Sequence, residues 1–443
     1  MKIHLIGIGG IGVSALAQYY LSKGHEVSGS DLAPSEITDF LKEKGVKIII
    51  GNFAKNVEKD LDLVVYSPAV KKGNKELAQA IKHKIKTQSY PEALGGLTRD
   101  YYTIAVAGAH GKSTTTSMIA LILIEAGLDP TVIVGTKLKE FGDSNFRAGK
   151  SRLLVIEACE YDSSFLYYSP QIAVVTNIDK EHLDFFKTFA NVKKAFEKFI
   201  LKLPRPGESG YPGFFIRNAD DINAPVIIDH KFQIKDYSLK QAEAKKIKSN
   251  LKIPGAHNVS NALAALEVAR ILAIPDKDTF SALSKFNGTW RRFEILKETK
   301  NFTLISDYAH HPNEILATLI ATREKYPKKQ IWCVFQPHQH QRTFYLFNDF
   351  IKTFREVPID KIILTDIYDV AGREIPTSSR THDGIGAKIK EVSSKKLAEE
   401  VNKKNVSYLP IDEIEVFVKE NIKLVDVLVI MGAGDIYKLA DKF

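Results

Sequence analysis

The sequence predicts an α/β protein of three domains, each built around its own mostly parallel sheet. Three observations predict it. Apolar runs of strand length alternate with helical stretches along the chain, the order that gives parallel sheets. Two of those runs end in glycine-rich turns that open helices, at 7–12 and 108–114. At 443 residues the chain exceeds what one hydrophobic core ordinarily organises.

The first segment opens with a strand at 2–7, the turn Gly7-Ile8-Gly9-Gly10-Ile11-Gly12 and a helix over 13–23. A second strand over 25–30 ends in Asp31, and further strands are expected at 46–50 and 63–67. A Gly-x-Gly-x-x-Gly turn with an acid about twenty residues on is the Rossmann-type signature. This N-terminal Rossmann-like domain is expected over 1–97.

The central domain, expected over 98–288, begins with an apolar strand at 102–107, then Gly108-Ala109-His110-Gly111-Lys112-Ser113-Thr114, then an apolar helical run at 118–126. Strand, glycine loop and helix together cradle nucleotide phosphates. Backbone N–H groups face the oxygens, the lysine reaches the outer phosphates, and the following hydroxyl holds Mg²⁺. The usual loop is longer and would carry glycine where this chain has Val106. Strands at 153–156 and 172–176 end in Glu157 and Asn177, a loop is expected at 204–211, and a helix over 257–272. The C-terminal domain, 289–443, is a further Rossmann-like α/β domain with strands at 302–306, 331–335, 361–365 and 427–431.

Composition narrows the function. The chain is 44% apolar and 26% charged, as soluble globular proteins are. No apolar run reaches the roughly eighteen residues of a membrane span, and the N-terminus lacks a signal-peptide core. Cys159 and Cys333 stand far apart and suit a reducing cytoplasm, so a cytoplasmic protein is expected. For its assembly, a monomer or homodimer is the expectation. The net charge of +9 comes from lysines mixed with acids, a solvated surface that would also attract anionic substrates. Without an arginine stripe interleaved with aromatics, no nucleic-acid partner is expected.

Polar residues gather at strand ends, where ligands of open α/β sheets bind. Glu157, Glu160 and Asp162 follow one strand, and Asp179, Glu181, His182 and Asp184 the next. Glu157 with Ser113 could hold Mg²⁺ against ATP, and His182 could touch a second ion or the phosphoryl group. Taken singly, each acid reads better as a cap or a solvated loop residue; following a phosphate loop at successive strand ends, Glu157 reads better as a metal ligand. Arg291-Arg292-Phe293-Glu294 offers either an arginine for phosphoryl charge or a surface ion pair. Asp307-Tyr308-Ala309-His310-His311 follows a strand; a zinc site there would need a third ligand that no spacing supplies. Arg342, after the strand at 331–335, could fork onto a carboxylate.

Nine runs in order resemble the Mur ligases of cell-wall synthesis. They are 4–12, 29–31, 108–116, 157–165, 177–184, 257–261, 291–294, 307–312 and 335–343. The resemblance, strongest to the alanine-adding branch, implies domains for UDP-sugar binding, for ATP, and for closing over both. It implies ATP-dependent joining of L-alanine to the lactyl carboxylate of UDP-N-acetylmuramate through an acyl phosphate, with Mg²⁺, two ions being expected. It assigns Gly108 to Thr114 to the phosphates of ATP, Lys112 to its β/γ-phosphates, Ser113 and Glu157 to the first metal, and His182 to the second. Asn258 with His257 would contact adenine, Asp307 the ribose and Arg292 the γ-phosphate. Tyr308, His310 and Arg342 would form the amino-acid pocket, with Lys112, His182, Arg292 and His310 the catalytic set. Gly7, Gly9, Gly10, Gly12, Asp31 and Ser67 would hold UDP rather than NAD.

The chain departs from the family pattern in places. Ala109 and Ser113 each replace threonine, Cys159 and Tyr161 interrupt the acidic run, and Gln339 stands where the family carries arginine. Lys193 and Lys194 do not match the spacing of the carbamylated lysine of some relatives. Tyr161 resembles the family branch that attaches a whole tripeptide to the same sugar, which is the alternative function. An NAD-dependent oxidoreductase is a remote alternative that leaves the phosphate loop unexplained.

Overall fold

The computed structural model describes residues 1–71, 73–205, 212–227, 232–369, 389 and 391–443. Of the loop expected at 204–211, residues 206–211 lie outside the described residues.

The first sheet comprises β1 (Lys2–Ile6), β2 (Glu26–Asp31), β3 (Lys47–Ile50), β4 (Leu63–Tyr66) and β5 (Lys86–Ser89), all parallel, in the order β3-β2-β1-β4-β5. Strand order reverses about β1, so its carboxyl end is the crevice where such sheets bind ligands. The first glycine turn leaves from that point. The helix after it, Ile11–Ser22, starts two residues before the expected 13, with Gly10 in an extended conformation as its cap. β5 escapes sequence reading because Lys-Thr-Gln-Ser is polar; among the described residues it pairs only with β4, at the sheet edge, where little burial is needed.

The second sheet comprises β6 (Tyr102–Ala107), β7 (Thr131–Leu138), β8 (Ser144–Arg147), β9 (Leu153–Glu157), β10 (Ile172–Val175), β11 (Phe214–Asn218) and β12 (Gln233–Tyr237). Its order is β12-β11-β10-β6-β9-β7-β8, with β8 antiparallel to β7 and the other pairings parallel. β6 lies between β10 and β9, again a switch point, and the phosphate loop leaves from it. Val106 is fully buried within β6, so the residue that shortens the glycine loop serves as a core strand residue. The helix over Lys112–Glu125 begins at the loop, six residues before the expected apolar run. The intervening Ser and Thr residues are buried, and two of their hydroxyls bond back within the helix: Thr116 to the Lys112 carbonyl at 2.8 Å and Ser117 to the Ser113 carbonyl at 2.7 Å.

Hairpin β7–β8 is fastened to the helix Ile11–Ser22 by a buried polar network. Gln18 Nε2 donates to Asn145 Oδ1 at 2.8 Å, Ser144 Oγ to Gln18 Oε1 at 2.9 Å, and Asn145 Nδ2 to Ser14 Oγ at 3.0 Å and to the Ile11 carbonyl.

The third sheet comprises β13 (Glu294–Glu298), β14 (Thr303–Asp307), β15 (Ile331–Phe335), β16 (Lys361–Leu364), β17 (Val406–Tyr408) and β18 (Val427–Met431). The order is β13-β14-β18-β15-β16-β17, with only β13 antiparallel among these pairs. Alternate residues enter two cores: Ile305, Cys333 and Val429 on one face, Leu304, Val334 and Ile430 on the other. Burial on both faces explains the continuous apolar runs. The chain forms two compact units, residues 1–250 with 260–286, and 251–259 with 287–443. The first unit contains the first two sheets and the second contains the third.

Candidate functional site

In the first unit the phosphate loop is shaped by glycines that nothing else could replace. Gly108 has φ +139, and a Cβ there would lie 2.0 Å from Thr176 Oγ1; Gly111 has φ +82 and would meet Asn261 Oδ1 at 2.3 Å. The loop is held by the end of β10. Asn177 accepts the Ala109 N–H at 3.0 Å on its carbonyl and the His110 N–H at 2.9 Å on its side chain, while Thr176 Oγ1 donates to the His110 carbonyl at 2.5 Å. The His110 ring meets Asp179 at 2.9 Å.

Lys112 bends back over the loop. Its Nζ donates to the carbonyls of Gly108 at 2.5 Å and Ala109 at 3.1 Å, and pairs with Glu160 at 3.1 Å. Burial opposes its charge, but Glu160, with Cys159 and Glu157, more than offsets that and raises its pKa, so it stays protonated. Glu160 is 1% exposed and also lies 3.6 Å from His182 Nε2. Glu157, at the end of β9, accepts Ser113 Oγ at 2.8 Å and the Gly135 N–H at 2.9 Å on one oxygen. His182 has φ +55, its ring 4.8 Å from that of Tyr161. Gly108 to Thr114, Glu157 and His182 are thus brought to the carboxyl end of the central strands of the second sheet, with Glu160 between Lys112 and His182.

The other glycine turn of this unit is differently equipped. Gly7 has φ +78, and its N–H and that of Ile8 donate to the Ser30 carbonyl at 2.8 and 3.0 Å. Asp31 accepts the Gly9 N–H at 2.8 Å, and a Cβ on Gly9 would strike that same oxygen. Ser67 packs against Gly7, and Gly12 lies against the Tyr90 ring. Gly7, Gly9, Gly10, Gly12, Asp31 and Ser67 therefore share one crevice.

In the second unit, Asp307 ends β14, and both its oxygens accept backbone N–H groups, from Phe293 and Ala309, each at 2.7 Å. Burial nevertheless pushes its pKa up to about 6. Arg292 lies 3.7 Å from Glu314 and 4.7 Å from the Tyr308 ring centroid. His310 Nδ1 is 3.3 Å from Glu314, and Tyr308 and His310 meet edge to face at 5.3 Å. Arg342 reaches His338 Nδ1 at 3.1 Å, and the His338 ring lies 5.8 Å from that of His310. His257 is pushed down to about 4 by burial, with Glu314 and Arg292 acting in opposite senses; Asn258 donates to the Pro254 carbonyl at 2.7 Å. Gln339 has φ +72 and precedes the helix His340–Tyr345.

Glu314 had no site signal in the sequence. Three residues into the helix Pro312–Lys325, an acid reads as a cap, and it does accept the N–H groups of His310 and His311. Asp179 was legible only as one acid among several.

A shortened phosphate loop at one switch point, a second glycine turn at another and polar strand ends in a third sheet define a nucleotide-binding α/β class. Family models match along the chain: the Mur ligase family catalytic domain at 2–102, the Mur ligase middle domain at 106–269, and the Mur ligase glutamate ligase domain at 291–434. The chain belongs to the Mur ligase family, whose catalysis is ATP-dependent. Within it, the chain is 41% identical to the UDP-N-acetylmuramate–L-alanine ligase of Clostridium tetani, with 100% of this chain and 97% of that protein aligned. The ligase of the same name from Clostridium botulinum (strain Hall) is 39% identical over the same shares. Among solved structures, the UDP-N-acetylmuramate–alanine ligase of Thermotoga maritima matches with TM-score 0.79 at 26% identity, covering 100% of this chain and 98% of that one. A murein peptide ligase from Psychrobacter arcticus shares the fold, with TM-score 0.71 at 23% identity over 100% and 98% of the two chains. Among the described residues, no helix is long and apolar enough to cross a membrane.

Proposed function

We propose that this protein joins L-alanine to the lactyl carboxylate of UDP-N-acetylmuramate, with ATP converted to ADP and phosphate, as a cytoplasmic step of peptidoglycan synthesis. The observation that carries the reading is the end-to-end likeness, at 39–41% identity, to ligases of that name. In this reading residues 1–97 bind the sugar nucleotide, 98–288 bind ATP and 289–443 bind the amino acid.

The chemistry explains the equipment. A carboxylate resists nucleophiles because of its charge. Its oxygen attacks the γ-phosphorus, ADP leaves, and an acyl phosphate forms; the free amine then attacks the acyl carbon, phosphate leaves and the nitrogen loses a proton. Both steps gather anions, so fixed positive charge lowers both barriers. Lys112 serves the β/γ-phosphates, with the loop N–H groups around them, and Arg292 the transferring phosphoryl group. Ser113 and Glu157 offer hard oxygen donors beside the loop, held 2.8 Å apart, a set that suits Mg²⁺; His182 would serve a second ion. Bound there, the metal would neutralise polyphosphate charge. Asn258 and His257 serve adenine, and Asp307 the ribose. Tyr308, His310 and Arg342 orient the amino acid, so that its amine meets the acyl carbon.

The test is release of ADP and phosphate with UDP-N-acetylmuramate against a panel of L-alanine, glycine, L-serine and the murein tripeptide. Turnover with L-alanine is expected to be fastest. Turnover with the tripeptide alone would overturn the proposal, and NAD binding without ATP hydrolysis would overturn any ligase reading.

A further inference from the structure

The turn at 289–294 gives two neighbouring arginines opposite surroundings. Arg291 has φ +56 and Phe293 φ +49, left-handed conformations that persist in side-chain-bearing residues only when the surroundings over-determine them. Both are 4% exposed. Arg292, between them, is directed instead to Glu314 and the Tyr308 ring.

Arg291 ties four pieces of the second unit together. Its Nη2 donates to the carbonyls of Gly432 and, at 3.0 Å, Gly434 in the loop after β18. Its guanidinium carbon lies 4.3 Å from the Tyr437 ring centroid, 4.9 Å from Tyr308 and 5.5 Å from Trp290. Its carbonyl accepts the Tyr308 N–H at 2.6 Å, and its own N–H donates to Glu294 at 2.8 Å. Its Nε is buried without a hydrogen-bond partner, and among the described residues no carboxylate pairs with its guanidinium. A buried charge held only by carbonyls and ring faces is an expensive way to fill a core, since apolar residues of similar volume often fold as well or better.

We propose that Arg291 is a positioning residue for the ligation: its fork locks the loop after β18 onto the turn while its guanidinium packs on the Tyr308 ring, fixing the Arg292 guanidinium for the γ-phosphoryl group. This rests on the reading of Arg292 given above. Two guanidiniums within 5 Å of one tyrosine ring, one anchored and one directed to Glu314, are what such a support requires.

The experiment compares Arg291→Met, Arg291→Lys and Arg292→Met by steady-state kinetics in each substrate and by thermal melting. Arg291→Met leaves the Gly432 and Gly434 carbonyls without their donor and is expected to melt lower, yet its folded fraction is expected to lose about tenfold or more in kcat, with KM for UDP-N-acetylmuramate and L-alanine within about twofold. Arg291→Lys keeps a charge but not the fork, and its kcat is expected to fall as well. Parental kcat in a folded Arg291 variant, or a loss no larger than its unfolded fraction, overturns the proposal. Should Arg291→Met fail to fold, Arg291→Lys decides by the same kcat criterion. An Arg292→Met variant with parental turnover overturns the role of Arg292 itself; impaired Arg292→Met beside normal Arg291 variants overturns the positioning alone.

Discussion

The two glycine turns of the first unit share a backbone plan and differ in charge. Each leaves a central parallel strand at a switch point, each needs left-handed glycine, and each opens a helix. The turn at 7–12 is bordered by Asp31, which caps Gly9, and by the hydroxyl of Ser67. The loop at 108–114 carries Lys112 and His110, and neighbouring strand ends supply Glu157, Glu160 and Asp179. Glycine spacing therefore reports only where backbone can come close to a ligand. In the proposed function, the side chains brought in from adjacent strands decide whether phosphate is merely held or transferred. That is why the first turn, which alone suggests a dinucleotide enzyme, does not define the function.

The sharpest way to break this contrast is Lys112→Ala. ADP release is expected to fall about 10³-fold, with melting little changed and UDP-N-acetylmuramate still bound, as followed by a coupled ADP assay and calorimetry. Retained turnover would remove the distinction between the two turns. Next comes Glu157→Gln, expected to lower kcat about 10²-fold and to shift the Mg²⁺ titration to higher concentration. An unchanged titration would detach Glu157 from the metal.

The glycines themselves sharpen the comparison. Gly108→Ala places a Cβ 2.0 Å from Thr176 Oγ1 at φ +139. A loss of about 2–3 kcal/mol of stability and weaker ATP binding are expected. Gly7→Ala meets Ser67 Cβ at 2.9 Å with φ +78. A loss of about 1–2 kcal/mol is expected there, with KM raised for the sugar nucleotide and not for ATP. Denaturant melts and the two KM values check both; an exchange of the KM effects would reverse the assignment of ligands to turns.

The smallest effect concerns pH. Burial pushes His4 down to about 4 from an ordinary 6.5, so the folded chain keeps it neutral while the unfolded chain protonates it. The unfolded state then binds more protons between pH 6.5 and 4, and stability falls as pH falls through that window. Nearby Glu76, raised by burial, acts in the opposite sense. His4→Gln is expected to lose about 1–2 kcal/mol less than the parent on acidification through this window, measured by denaturant melts. An identical pH slope would remove His4 from the balance.

Strands with two buried faces were legible because their apolar runs are continuous: β6, β10, β14, β15 and β18 fall within a residue or so of expectation. Much of what escaped lies at edges or is short, although β11 and β7 pair on both sides. β5 is polar, β13 reads Glu-Ile-Leu-Lys-Glu, and β17 has three residues. Hairpin β7–β8 carries a register break between Ile133 and Leu138 that hides its alternation. For the site, the glycine loops and strand-end acids carry their own signatures. Glu160 was visible as an acid, but its place between Lys112 and His182 depends on β9 and β10 flanking β6. Arg291 and Arg292 look alike in sequence; only the φ values and packing separate an inward anchor from its neighbour.

The polar fastening of β7–β8 has a consequence for how the chain can be divided. Ser144 and Asn145 belong by sequence to the phosphate-loop segment, yet their hydrogen bonds are made with Ser14, Gln18 and Ile11 of the first segment. A polypeptide cut near residue 97 would leave these amides and hydroxyls without their partners and open to water the apolar surface the two segments bury together, such as Tyr19 against Phe146. The two sheets are thus expected to melt in one cooperative transition, and the first segment produced alone is expected to be sticky and short-lived.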